Sequence, residues 1–135
     1  MFKGTHILIW SENPDKLMEF YRDVLELQVA EKVDLPAKNE VGADYGYQMN
    51  SGELPVCWIG KHSEVVGKSK EPVRIMHNLK TDEVQKWYEK VKSAGCEILQ
   101  PPALTPFATD EKQIYVCTWL DPDGNCWQFM GKLNG

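Results

Sequence analysis

Three histidines and four cysteines are the side chains of this sequence best suited to chemistry. His6 stands in a β-rich opening stretch, where an imidazole can act as a metal ligand, a general base or a hydrogen-bonding group. His62 and Glu64 fall in a polar stretch, the usual setting of a solvated pair. Cys57, Cys96, Cys117 and Cys126 form no Cys-x-x-Cys pair, and each lies in an apolar, strand-like run, so buried thiols are expected and not a zinc site or a disulfide framework. The chain has no Gly-x-Ser-x-Gly elbow, no cysteine with a supporting histidine nearby and no phosphate-cradling glycine loop. Nucleophilic and phosphoryl chemistry are therefore not indicated. What remains is aromatic surface. Of five tryptophans, Trp87 and Trp127 suit core packing, which leaves Trp10, Trp58 and Trp119 for a site.

The elements that would position these residues follow an order that repeats. Thr5 to Trp10 reads as a strand and ends at Asn13-Pro14, a helix cap followed by a proline at the first helical position. Leu17, Phe20, Tyr21, Val24 and Leu25 then recur at helical spacing. Three short β-type runs follow: Gln28 to Val33, Ala43 to Met49 and Pro55 to Lys61. After a polar stretch from Lys61 to Pro72 the pattern returns. Val73 to Leu79 reads as strand, Thr81 as helix cap, and Val84, Trp87, Tyr88 and Val91 as an apolar stripe closed by Gly95. Cys96 to Gln100, Gln113 to Leu120 and Cys126 to Met130 complete the second set, the last two joined by the turn Asp121-Pro122-Asp123-Gly124. A shift of 67 positions lays Leu17 on Val84, Tyr21 on Tyr88 and Val24 on Val91. Repeats of this kind arise when one unit cannot bury its apolar face alone.

Composition narrows the function. A length of 135 residues suits one domain or two small halves, and 42% apolar with 26% charged residues is ordinary globular composition. The net charge of −5, with no basic cluster longer than Lys68 to Lys70, argues against nucleic acid. Near the start the longest apolar run, Ile7 to Trp10, is too short for a signal core or a membrane span, so a cytoplasmic protein without membrane contact is expected.

Four signatures in order resemble the vicinal oxygen chelate superfamily, which includes glyoxalases and bleomycin-resistance proteins. They are His6 ahead of Phe20-Tyr21; the helix end Phe20-Tyr21-Arg22-Asp23-Val24-Leu25-Glu26-Leu27; the helix Val84 to Gly95 with Cys96-Glu97-Ile98; and Leu120-Asp121-Pro122-Asp123-Gly124-Asn125 before a final strand. The resemblance implies an α+β fold of two tandem βαβββ modules whose strands form a cupped mixed sheet with helices on the convex side. Module one would span about 1–62, a linker about 63–72 and module two about 73–135, all one domain over 1–135. It also implies a small-molecule ligand in the concavity and a homodimer.

Strand alternation then assigns faces. His6, Leu8 and Trp10 would face the cup; so would Arg74, Met76 and Asn78, with His77 on the helix side. Tyr115, Cys117 and Trp119 would face the cup, as would Cys126, Gln128 and Met130. Metal-dependent members of the resembled family hold a divalent ion at four places on such strands. Here the first is His6, the second falls near Trp58 to Gly60, the third on Met76 counted back from Gly95 or on Ile75 counted from Asp82, and the fourth on Gln128, a weak neutral donor. No metal and no cofactor are therefore expected. The sequence reads as a metal-independent binding protein that grips a planar, partly apolar molecule with His6, Trp10, Trp58, Arg74, Met76, Tyr115, Trp119 and Gln128. The alternative is a metal-dependent glyoxalase-like lyase or isomerase, or a dioxygenase, using His6 and its neighbours.

Overall fold

The computed structural model describes residues 1–34 and 43–135; the turn expected between the second and third strands lies outside them. The chain divides into two compact units, Met1–Gly67 and Lys68–Gly135. Each is a four-stranded mixed sheet carrying one helix, so the class is α+β with two tandem modules.

In the first unit β1 (Leu8–Ser11), α1 (Pro14–Asp23), β2 (Gln28–Asp34), β3 (Ala43–Ser51) and β4 (Leu54–His62) form a sheet in the order β1-β4-β3-β2. The β1–β4 pair is parallel and the others antiparallel. Such a parallel pair needs a crossover, and α1 lies within it. The helix starts as the sequence predicts: the Asn13 side chain accepts from Lys16 N at 3.3 Å, and Pro14 occupies the first turn. The helix packs on β1, β3 and β4, where its Leu17 and Tyr21 and the sheet's Ile9, Tyr47, Met49, Cys57 and Ile59 are all buried. Asp15 adds a polar tie from helix to sheet, accepting from the Tyr45 hydroxyl at 2.7 Å and from the Tyr47 hydroxyl. These two bonds hold the Asp15 carboxyl below its ordinary pKa; burial, then the bond to Asp15, pushes Tyr45 up to about 12, and the bond, then burial, does the same for Tyr47.

The second unit repeats the plan with β5 (Met76–Lys80), α2 (Val84–Ser93), β6 (Ile98–Leu104), β7 (Tyr115–Leu120) and β8 (Cys126–Gly131), in the order β5-β8-β7-β6. The helices begin at 14 and 84, 70 positions apart, whereas the parallel pairs Leu8–Trp58 and Met76–Cys126 are related by 68. The 67-position match aligns apolar stripes without aligning the elements. The expected strand from Val73 is shorter, because Pro72–Arg74 closes as a 3-10 turn and pairing begins only at Met76.

α2 also begins differently from the expectation. Thr81 is not its cap: its hydroxyl accepts from Glu83 N, and Glu83 takes the cap position without a side-chain bond. The C-terminal tail satisfies the exposed helix N–H groups instead, with Val84 N and Gln85 N donating to the Lys132 and Leu133 carbonyls at 3.0 Å. Gly131 makes this crossing possible. Its φ is 151°, and a Cβ there would collide with the Thr81 carbonyl. Gly95, at φ 86°, ends the helix as predicted.

The Asp121 turn is the most densely bonded corner of the unit. Its carboxylate, 4% exposed, accepts from Asp123 N and Asn125 N at 2.9 Å, from the Asn125 amide, and from Trp127 Nε1 at 3.2 Å. One buried carboxylate thus shapes the turn and fixes the ring of the strand that follows. None of the four cysteines is in a disulfide, and Cys57, Cys117 and Cys126 are buried, as expected. Burial pushes Cys117 up to about 12 and Cys96 to about 11. No helix among the described residues is long and apolar enough to cross a membrane.

Candidate functional site

On the first unit's sheet, the face turned away from α1 carries a row of rings. Alternation along β4 sends Cys57 and Ile59 into the core and leaves Trp58, Gly60 and His62 on the other side. The register then lines up Leu8, Trp58, Gln48 and Glu31 in one row and Trp10, Gly60, Gly46 and Val33 in the next. Gly60 and Gly46 are partners on adjacent central strands, and they leave a floor without side chains. The Trp58 indole lies across both. A Cβ on Gly60 would stand 2.5 Å from Trp58 Nε1 and 2.7 Å from Trp10 Cζ3, and one on Gly46 would strike the Trp58 ring and the Ile59 carbonyl. The two indoles therefore meet above a single glycine. His62 stands edge-on to Trp10, with ring centroids 5.3 Å apart.

Beside Trp58, Gln48 acts as a polar hub. Its amide nitrogen donates to the Met49 carbonyl and to Asn50 Oδ1, and its oxygen accepts from His6 Nε2 at 2.9 Å. His6 itself is exposed and lies just ahead of β1. Thus the structure gathers His6, Trp10 and Trp58 from the expected set and adds Gln48, Gly46, Gly60 and His62. Sequence reading passed over these four, and for His62 it favoured a solvated role. The available signal was two glycines inside strand patterns, which mark close approach of another group.

On the second unit's sheet the face turned away from α2 carries Met76 and the buried Cys126, then Asn78, Gln128, the buried Thr118 and Gln100, then Met130 and Val116. Met76 and Gln128 therefore face as expected, and His77 lies on the helix side against Trp127 at 4.9 Å. Burial lowers the His77 pKa, an effect that the Asp121 charge opposes.

Two placements depart from expectation. On β7 the alternation is inverted: Trp119 pairs with Trp127 and Cys117 with Phe129, so Tyr115, Cys117 and Trp119 belong to the helix-side face. Trp119 is fully buried and stacked on Trp127 at 6.1 Å, a core ring and not an accessible one. Arg74 sits in the 3-10 turn, exposed, with Nε donating to Glu71 at 2.8 Å, and so does not lie on the strand that was expected to present it.

The model of the Glyoxalase/Bleomycin resistance protein/Dioxygenase superfamily matches residues 4–129. This chain belongs to that superfamily. No curated protein matches it. Among solved structures, a glyoxalase family protein from Enterococcus faecalis is similar over 95% of this chain and 96% of its own, with 18% identity and a TM-score of 0.70. A glyoxylase/bleomycin resistance protein/dioxygenase domain from Frankia sp. EAN1pec covers 98% of both chains at 12% identity and a TM-score of 0.74. A glyoxalase I mutant from Zea mays matches 93% of this chain but only 43% of its own, at 16% identity and a TM-score of 0.66. At such identities the likeness concerns the fold.

Superfamily membership raises the question of a divalent ion. The donors at the expected places are His6, already bonded to Gln48, an indole and a glycine on β4, the thioether of Met76 and the amide of Gln128. Among the described residues no three His, Cys, Asp or Glu side chains come together. This donor set, one imidazole with neutral amide and sulfur groups, does not suit a divalent ion.

Proposed function

We propose that this superfamily member is a metal-independent small-molecule-binding protein that holds a planar, partly apolar ligand against Trp10 and Trp58. The observation that carries the reading is the paired Gly46–Gly60 floor beneath two indoles. Glycine inside a strand costs about 0.5–1 kcal/mol relative to alanine, and here it lets rings lie flat on a half-exposed surface. A ligand stacked on such rings gains roughly 1–3 kcal/mol per contact, more than one methionine contact would provide. Within the second unit, Met76 and Gln128 are proposed as ligand-facing groups of that unit's own sheet. The working form is taken to be a homodimer, as the superfamily resemblance implies, in the cytoplasm, as read from the short apolar run Ile7 to Trp10.

The test is binding without metal. Protein purified without chelator is analysed for metals and for co-purified small molecules by mass spectrometry, and is then titrated with 2-naphthol while the indole N–H signals are followed by NMR. The expected result is saturable movement of the Trp10 and Trp58 signals, weakened at least about ten-fold in Trp58→Ala. A stoichiometric divalent ion, or rings that respond to no planar probe, would overturn the proposal.

A further inference from the structure

The two imidazoles flanking the indoles are each half-committed, and backbone groups fix which half. Gln48 cannot be turned over, because its nitrogen already donates to the Met49 carbonyl, which can only accept. Its oxygen therefore faces His6, and His6 Nε2 must carry the hydrogen of that 2.9 Å bond. In the neutral ring this leaves Nδ1 as a lone-pair acceptor. His62 is set the other way. Its Nδ1 receives the Glu64 backbone N–H at 3.2 Å, so Nδ1 is the acceptor in that bond and Nε2 carries the hydrogen. One ring has an acceptor to offer and the other a donor.

The sheet separates them in a definite sense. His6 reaches the row of Trp58 and Gln48, whereas His62 lies four residues further along β4, beside Trp10. At about 3.3 Å per residue that is roughly 13 Å of strand. A bicyclic aromatic molecule with a hydrogen bond of about 2.9 Å at each end covers a distance of that order.

We infer that the Trp10–Trp58 face selects planar molecules that are polar at both ends and opposite in character, with a donor at the His6 end and an acceptor at the His62 end. This rests on the binding function proposed above and adds the ligand class. A symmetric hydrocarbon ring would leave both imidazoles unmatched and a ligand with donors at both ends would leave one, and an unpaired polar group in a contact costs more than a hydrogen bond returns.

Three bicyclic probes separate the possibilities. 6-Hydroxyquinoline offers a hydroxyl donor and a ring-nitrogen acceptor at opposite ends, 6-methoxyquinoline lacks the donor, and 2-naphthol lacks the acceptor. Each is titrated into the intact protein with the indole N–H signals as readout. 6-Hydroxyquinoline should bind about ten-fold more tightly than either analogue. In His6→Phe its advantage over 6-methoxyquinoline should vanish while its advantage over 2-naphthol persists, and His62→Phe should do the reverse. Long-range 15N spectra of the free protein should show Nε2 protonated in both rings. Equal affinity for the three probes, or Nδ1 protonated in either neutral ring, overturns the inference while leaving ring stacking intact. Failure of all three to move the Trp10 and Trp58 signals overturns the binding function itself.

Discussion

Adding one methyl group to each of the two floor glycines should have opposite consequences for stability and binding. Neither Gly46 nor Gly60 has the left-handed backbone that only glycine tolerates well, so alanine is conformationally allowed at both and gains about 0.4–1 kcal/mol through the unfolded chain. At Gly60 the new Cβ would stand 2.5 Å from Trp58 Nε1 and 2.7 Å from Trp10 Cζ3, against about 3.5–4.0 Å for ordinary contact. The indoles must move by on the order of 1 Å, and being only half-buried they can swing outward. Gly60→Ala should therefore fall within about 1 kcal/mol of the parent in stability yet bind 2-naphthol at least about ten-fold more weakly. At Gly46 the Cβ also meets the Ile59 carbonyl, a backbone atom of the neighbouring strand that cannot withdraw without opening the β3–β4 ladder. Gly46→Ala should cost about 2–3 kcal/mol. Urea unfolding followed by circular dichroism gives the stabilities, and NMR titration gives the affinities. If Gly60→Ala bound 2-naphthol as well as the parent, or unfolded as easily as Gly46→Ala, the floor would have no role in holding the rings.

Asp121→Ala should lower stability by about 2–4 kcal/mol in urea, since two part-buried backbone N–H groups and the buried Trp127 Nε1 lose their acceptor; Asp121→Asn, which keeps one oxygen, should lose less. Gly131→Ala should cost about 3 kcal/mol or more, because the left-handed backbone and the Thr81 carbonyl both oppose a side chain; hydrogen exchange should rise at Val84 and Gln85 as the tail lifts from α2. For His77, burial depresses the folded pKa below 6.5, so on acidification the unfolded ring takes its proton first. Its contribution is fully present above pH 6.5 and declines as the pH falls through the folded value. Unfolding free energies at pH 7.5 and 5.5 should therefore differ more in the parent than in His77→Gln, and equal differences would show that the ring is not desolvated.

The sequence made the helices legible because each has one wet face. Leu17 and Tyr21 repeat at helical spacing between Lys16, Glu19 and Arg22, and no other arrangement buries the first pair while exposing the others. β7 was not legible for the opposite reason. Thr118, Trp119 and Leu120 are consecutive and all buried, so both faces of the strand are covered and alternation carries no polarity signal. An aliphatic set and an aromatic set were both eligible for the core, and the choice was made by Trp127 and Phe129 on the neighbouring strand. α2 hid its cap in a similar way, since the carbonyls that satisfy it lie nearly fifty residues downstream. Arg74 was misplaced because Pro72 turns the chain before pairing can start. In the candidate site His6, Trp10 and Trp58 could be read from alternation along β1 and β4. Gln48 and the two glycines matter only through a register that local patterns do not encode.

Comparison of the two halves explains why the glycines are better understood as parts of a site than as accidents of a strand. The parallel pairs β1–β4 and β5–β8 place Trp10, Gly60 and Gly46 in one row and Asn78, Gln128 and Thr118 in the matching row. The second row shows that this position in the architecture accepts ordinary side chains on all three strands. Unit one needs glycine at 46, where a Cβ would meet the Ile59 carbonyl, but at Gly60 the nearest atoms are those of the two indoles, and a glycine there sacrifices roughly 0.5–1 kcal/mol relative to alanine. That loss is recovered in unit one only if the indoles lying across the gap contribute more by lying flat than they would standing upright. Packing inside the unit supplies only part of the gain, because both rings keep some surface open to solvent. A molecule that covers this surface would provide the rest, and the amide row of the second unit is where the duplicated fold went without such a platform.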